Sequence, residues 1–325
     1  MEVVASAPAK IILFGEHFVV YGEPAIVLAI DKRARVSAEL RTDQRIYINS
    51  VDLGLSGFFM KELFQPECGG EEARAKLEPI KIALQKVFDL SEKEVGMSLE
   101  IESSIPVAAG LGSSAAVAAA VGVAASQLLN VKLSREEIFS IAYEAERFVH
   151  GTPSGIDPAI STYGGVHLFD KDKGITSLNV EKDIPLVVGD TGIKRSTGKL
   201  VAMVRERRKR FPLIVNPIIR TGGKVVLRAV KALEMGDINA VGELMNINHA
   251  LLCAVGVSNK PLDRLVYAAK KAGALGAKLT GAGGGGCIIA LCLPDTLEKV
   301  AEAIKRAGGT TFIARKTNEG AKIEN

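Results

Sequence analysis

The run from Ser103 to Val131 carries no charged side chain, so the chain must either pass it through a membrane or bury it. A spanning helix needs about 20 consecutive apolar residues. Pro106, Gly110, Gly112, Ser113 and Ser114 crowd the first half of this run, and alanine rather than leucine or isoleucine dominates the second. It therefore reads as a loop leading into a buried core helix. The remaining chain is long enough to supply that core: 325 residues favour two domains at roughly 150 residues each. With 47% hydrophobic and 24% charged residues, the composition excludes a disordered or collagen-like protein.

Charge and cysteine usage narrow the partners. A net charge of +4 is too small for a protein held to nucleic acid by phosphate neutralisation, although a small anion needs only a local patch. The basic run Arg205–Arg210 lacks interleaved aromatics and reads as a solvated helix face. Cys68, Cys253, Cys287 and Cys292 form no C-x-x-C pair, which argues against a disulfide framework or a structural zinc cluster and for a reducing, cytoplasmic setting. The N-terminus has no charged leader region, and Lys10, Glu16 and Glu23 interrupt its apolar stretches. Histidines 17, 150, 167 and 249 fit no histidine-based metal spacing, so any metal is expected to be a hard cation on oxygen ligands.

Short strands are expected at Val3–Ser6, Lys10–Phe14, Ala25–Ile30, Arg35–Leu40 and Arg45–Asn49. A helix over about 71–88 and a strand at 96–102 precede the alanine-rich helix from Ser114. Ser134 and Glu137 form a capping box that opens a helix over 135–150. The polar stretch Asp170–Asp183 reads as a domain junction. Beyond it come a strand at 185–190, helices near 197–210, 225–235, 238–254 and 261–272, a strand at 287–293, a helix at 296–307 and a strand at 310–315. Without regular βαβ alternation, the class is α+β.

Pro106–Ala116 lies between a strand and a helix, where glycines admit close backbone approach and free amides suit phosphate oxygens. Such glycines also serve simply to end a strand and pack a helix on a sheet. Gly110-Leu-Gly-Ser-Ser-Ala115 satisfies G-x-G-x-x-A, but it is followed by another helix and by no acidic residue near 130, which rejects a dinucleotide site; no Walker A motif exists. The second segment, Lys278–Cys287, has four consecutive glycines before an apolar strand, favouring a ligand-facing backbone.

Other polar residues each have an ordinary reading. Asp157 before Pro158 suits a helix N-cap, Lys10 suits a lysine snorkelling from an edge strand, and Glu16 with His17 suits a polar turn. Glu144 and Glu146 flank the apolar stripe of the 135–150 helix, and periodicity does not choose between them.

Three segments, Pro8–His17, Pro106–Ala116 and Lys278–Cys287, follow the order of the three motifs of the GHMP superfamily of small-molecule kinases, which the chain resembles along its whole length. Gly15–Gly22 and Glu146–Asp157 are similar to the mevalonate-kinase branch. Galactokinases usually carry an Asp where this chain has Val19, and homoserine kinases lack an equivalent of Asp157. The resemblance implies an S5-like α/β N-terminal domain over 1–175 and a ferredoxin-like α+β domain over 176–325. It implies ATP-dependent phosphorylation of mevalonate at its 5-hydroxyl, feeding isoprenoid synthesis, in a homodimer. Asp157 would be the general base and Lys10 its electrostatic partner. Glu146 and Ser114 would hold Mg2+, and Pro106, Ala109, Gly110, Leu111, Gly112, Ser113 and Ser114 the nucleotide. Glu16, His17, Thr197, Gly281 and Ala282 would join Lys10 and Asp157 around the acceptor, with Ser196 competing for the role of Thr197. The alternatives are another kinase of the superfamily, for phosphomevalonate or a sugar, and a non-catalytic nucleotide-dependent sensor.

Overall fold

The structure, a computed structural model, describes residues 2–106, 110–151, 153–194 and 196–324. Its first strand, β1 (Glu2–Phe14), joins the two strands expected there, with a register shift between Pro8 and Ala9, where proline has no amide hydrogen for the ladder. β2 (Ala25–Leu40) likewise joins two expected strands. The chain continues through β3 (Ile46–Ser50), β4 (Leu55–Met60), β5 (Leu63–Cys68), α1 (Gly70–Ser91), β6 (Met97–Ser103), α2 (Ser113–Leu128), α3 (Arg135–His150) and α4 (Ile156–Tyr163). Then follow β7 (Val166–Asp170), β8 (Gly174–Leu178), β9 (Leu186–Asp190), α5 (Thr197–Arg210), α6 (Pro212–Glu234), α7 (Ile238–Ala254) and α8 (Lys260–Lys271). The last elements are β10 (Gly276–Leu279), β11 (Cys287–Leu291), α9 (Leu297–Arg306), β12 (Thr310–Ala314) and β13 (Lys322–Ile323).

Two sheets organise two lobes. A 9-stranded sheet runs β13-β1-β2-β6-β3-β4-β5, with the β7–β8 hairpin attached to β2, and a 4-stranded sheet runs β10-β11-β9-β12. The first sheet includes residues on both sides of position 175 and takes its last strand from the C-terminus. On it lies α2, whose side chains from Ala115 to Val121 are all buried; alanine lets this uncharged helix pack closely against the strands on one face and against α1, α3 and α4 on the others. No described helix is long and apolar enough to cross a membrane. In the second sheet, Cys287, Ile289 and Leu291 point into the core shared with the first lobe, while Ile288 and Ala290 face α8 and α9, the period of two expected of a strand covered on both faces.

α3 begins where the capping box places it: Ser134 accepts from the Glu137 amide, and the Glu137 side chain accepts from the Ser134 amide. Ser134→Ala is expected to lower unfolding free energy by about 1 kcal/mol without changing activity, measured by urea titration. α6 starts well before the expected 225, and its sequence hid this because Pro217 and Gly222-Gly223 read as breakers. The glycines have a packing reason: a Cβ at Gly222 would stand 2.2 Å from the ring of Phe18, which is fully buried against this helix.

Candidate active site

β1 delivers Lys10 into an interior position, 6% exposed, with its backbone amide bonded to Leu111 O at 2.8 Å. Its Nζ lies 3.0 Å from Asp157 Oδ1. The snorkelling alternative fails for this lysine, and so does the N-cap alternative for Asp157. The cap of α4 is Gly155, at φ 76°, and Asp157 sits in the first turn with its side chain turned to Lys10. Gly112 caps α2 at φ 77°; a Cβ there would stand 2.9 Å from Lys10 Cγ and 3.5 Å from Asp157 Oδ2. The amide end of α2, an ammonium and a carboxylate thus meet at one point, with the helix dipole favouring anions beside them. Gly110 and Ser114 are exposed there and Pro106, Gly112 and Ser113 half-buried, while Leu111 is buried with its carbonyl spent on Lys10; Ala109 lies outside the described residues.

Glu146 completes the cluster. Burial and the nearby Asp157 charge, partly offset by Lys10, push its carboxyl up to about 7, and its buried Oε2 has no hydrogen-bond partner. Glu144, the residue periodicity could not separate from it, instead pairs with Arg147 at 2.7 Å on the helix surface. A buried, unpartnered carboxylate oxygen beside a phosphate-type helix terminus fits a hard divalent cation better than a structural role.

At the far end of β1, His17 takes φ 62°, and its Nε2 lies 2.7 Å from Ala282 O in the glycine loop. This brings His17, Gly281 and Ala282 together. Glu16 does not face an open pocket: it is 1% exposed and ion-paired to Lys278, a residue that sequence reasoning gave no role. The apolar neighbours of Lys278 gave no hint of a buried cation. Thr197 and Ser196 stand exposed at the start of α5. That helix start leans on the glycine loop, where a Cβ at Gly284 would stand 2.9 Å from Leu200. Gly283 and Gly285 are equally constrained, by Val257 O and Ile193 O at 2.1 and 2.6 Å from their would-be Cβ atoms, so packing inside the lobe accounts for much of the run assigned to a ligand.

One cluster escaped the histidine count: His249, Cys253 and Asp263, with His249 Nε2 3.5 Å from Asp263 Oδ1 and 3.6 Å from Cys253 Sγ. His249 Nδ1 accepts from the Leu279 amide at 3.4 Å, and Asn246 Oδ1 accepts from Ala277 at 3.2 Å, so the pair covers the edge of β10. That leaves the ring proton on Nε2, facing the carboxylate, and makes the cluster a capped sheet edge. Burial and the Lys278 charge, opposed by Asp263, lower His249 to about 4 from 6.5. A depressed folded-state value means stability is complete above about pH 6.5 and declines as pH falls toward 4, by up to about 3 kcal/mol. Urea midpoints measured across that window should fall less for His249→Gln than for the unmodified protein.

Both halves of a family description match in order, "GHMP kinases N terminal domain" over residues 78–165 and "GHMP kinases C terminal" over 229–310. The mevalonate kinase of Pyrococcus abyssi is 48% identical over 332 residues, spanning 99% of this chain and 98% of that protein. The crystal structure of Methanococcus jannaschii mevalonate kinase superposes with a TM-score of 0.85 at 28% identity, covering 98% of this chain and 99% of that one. The structure of L. major mevalonate kinase in complex with R-mevalonate gives 0.84 at 29% identity, covering 97% and 96%. With near half of all positions shared over its full length, and with the lysine, the acids and the glycine-capped helix gathered at one point, the chain belongs to the GHMP kinase family.

Proposed function

We propose that this protein transfers the γ-phosphoryl group of ATP to the primary 5-hydroxyl of mevalonate. The observation that carries the reading is the Lys10–Asp157 ion pair held against the amide end of α2. In this reading Asp157 accepts the hydroxyl proton as the oxygen attacks phosphorus. Lys10, 3.0 Å from Asp157, orients the attacking hydroxyl and offsets charge developing on its oxygen. The amides from Gly110 to Ser114 hold phosphate oxygens in line with the acceptor. Glu146 and Ser114 are the residues that would hold Mg2+, which when bound neutralises phosphate charge. His17, Gly281, Ala282 and Thr197 border the acceptor side, and the activity named for the relatives supports mevalonate as the acceptor. We further propose two domains, 1–175 and 176–325, except that β8 completes the first sheet past their boundary and β13 returns to it, with the reaction between them.

A coupled ADP-release assay comparing mevalonate, phosphomevalonate, galactose and homoserine tests the reading. The expected result is a preference for mevalonate of at least about 100-fold in kcat/KM. Faster turnover of another acceptor would reassign the substrate, and nucleotide binding without ADP formation with any of them would make the chain a sensor.

A further inference from the structure

A buried ion pair stands where the two lobes meet, and the proposed chemistry does not use it. Glu16 is 1% exposed and Lys278 0%, and the two are bonded across the joint, one at the exit of β1 and the other on β10. Asn248 Nδ2 donates to the second oxygen of Glu16 at 3.4 Å, and Lys278 Nζ also donates to Leu279 O at 2.8 Å, so both charges are hydrogen-bonded. Burial pushes the carboxyl up and the ammonium down, each opposed by its partner's charge. Desolvating two charges is costly, and an apolar pair of similar volume would often serve stability as well. What the pair adds is register.

Its neighbours show which register. Thr280 Oγ1 donates to Ile12 O at 2.9 Å, two residues along β1 from Lys10, and His17 Nε2 faces Ala282 O at 2.7 Å. The three links tie Ile12, Glu16 and His17, from β1 into its exit turn, to Thr280, Lys278 and Ala282, from β10 into the glycine loop. The buried ring of Phe18, seated over Gly222, anchors the same turn on α6. We infer that the Glu16–Lys278 ion pair is a positioning device for the acceptor: it fixes the His17 turn and the Gly281–Ala282 loop at one separation from Lys10 and Asp157. Glu16 is then a positioning residue acting through His17, not a group that touches the acceptor.

The inference rests on the proposed kinase reading, and the two fail differently. If the unmodified protein does not phosphorylate mevalonate, that reading fails before any variant is made. Given activity, the test is the charge-balanced double variant Glu16→Gln with Lys278→Met, which strands no buried charge. It is expected to raise the KM for mevalonate at least about tenfold, with kcat reduced less than about threefold and the KM for ATP within about twofold. A folded double variant with unchanged mevalonate KM, or with equal losses toward ATP and mevalonate, overturns the inference. Should the double variant fail to fold, Asn248→Ala removes only the third partner and is expected to raise the mevalonate KM about threefold at constant ATP KM; no change there overturns it equally.

Discussion

Replacing Asp157 by Asn is expected to lower kcat by about a thousandfold while nucleotide affinity stays within about threefold of the unmodified protein. Asparagine has the same shape and keeps an oxygen for Lys10, so the Lys10 contact and the packing at Gly112 survive. What is lost, in the proposed mechanism, is the basic oxygen that takes the proton, together with a negative charge beside Lys10. Nucleotide affinity should not follow, because the amide end of α2 belongs to another element and is set by its own glycine cap. Steady-state turnover in the coupled assay, paired with fluorescence titration of a nucleotide analogue, separates the two quantities. Retained phosphoryl transfer would remove Asp157 from the mechanism. Parallel loss of nucleotide binding would show that its charge serves the phosphate site instead.

How much of this was legible in the sequence depended on whether a local signal existed. The capping box and the alanine-rich helix were readable, since both depend on spacing along a single segment, whereas the choice of Glu146 over Glu144 came from the family resemblance. Strand boundaries were less so. The β4–β5 hairpin went unread, and α6 was shortened, because glycines at positions such as 57 and 222 follow from what packs on them, Phe64 and Phe18, and not from a turn. The same limit applies to charge. Lys10 and Lys278 sit in similarly apolar surroundings, and only the fold shows that one faces Asp157 while the other closes on Glu16. His249 and Cys253 fell outside a search for paired histidines, although their i, i+4 spacing on α7 with Asp263 opposite was there to be found. Long-range pairing of ionisable groups has no periodicity, so a sequence offers candidates for it and a structure chooses among them.

Glu146→Gln should move two observables in opposite directions, which makes it more discriminating than a loss of activity alone. In the folded protein the Glu146 carboxylate has a buried, unpartnered oxygen and stands close enough to Asp157 to be disfavoured by it. Nothing in such a position contributes to stability, so the neutral amide is expected to leave the metal-free fold as stable as before or more so, by on the order of 1 kcal/mol. If the residue is there to hold a cation, the same change raises the Mg2+ concentration for half-maximal activity at least about tenfold. Glu144→Gln is the matched control: its surface pair with Arg147 is worth less than about 1 kcal/mol, and neither stability nor Mg2+ dependence should shift appreciably. Thermal unfolding without metal and a Mg2+ titration of turnover supply both readouts. A destabilised Glu146→Gln protein with unchanged Mg2+ dependence would make this carboxylate a structural group, and the search for the cation's ligands would then return to Ser114 and its neighbours at the start of α2.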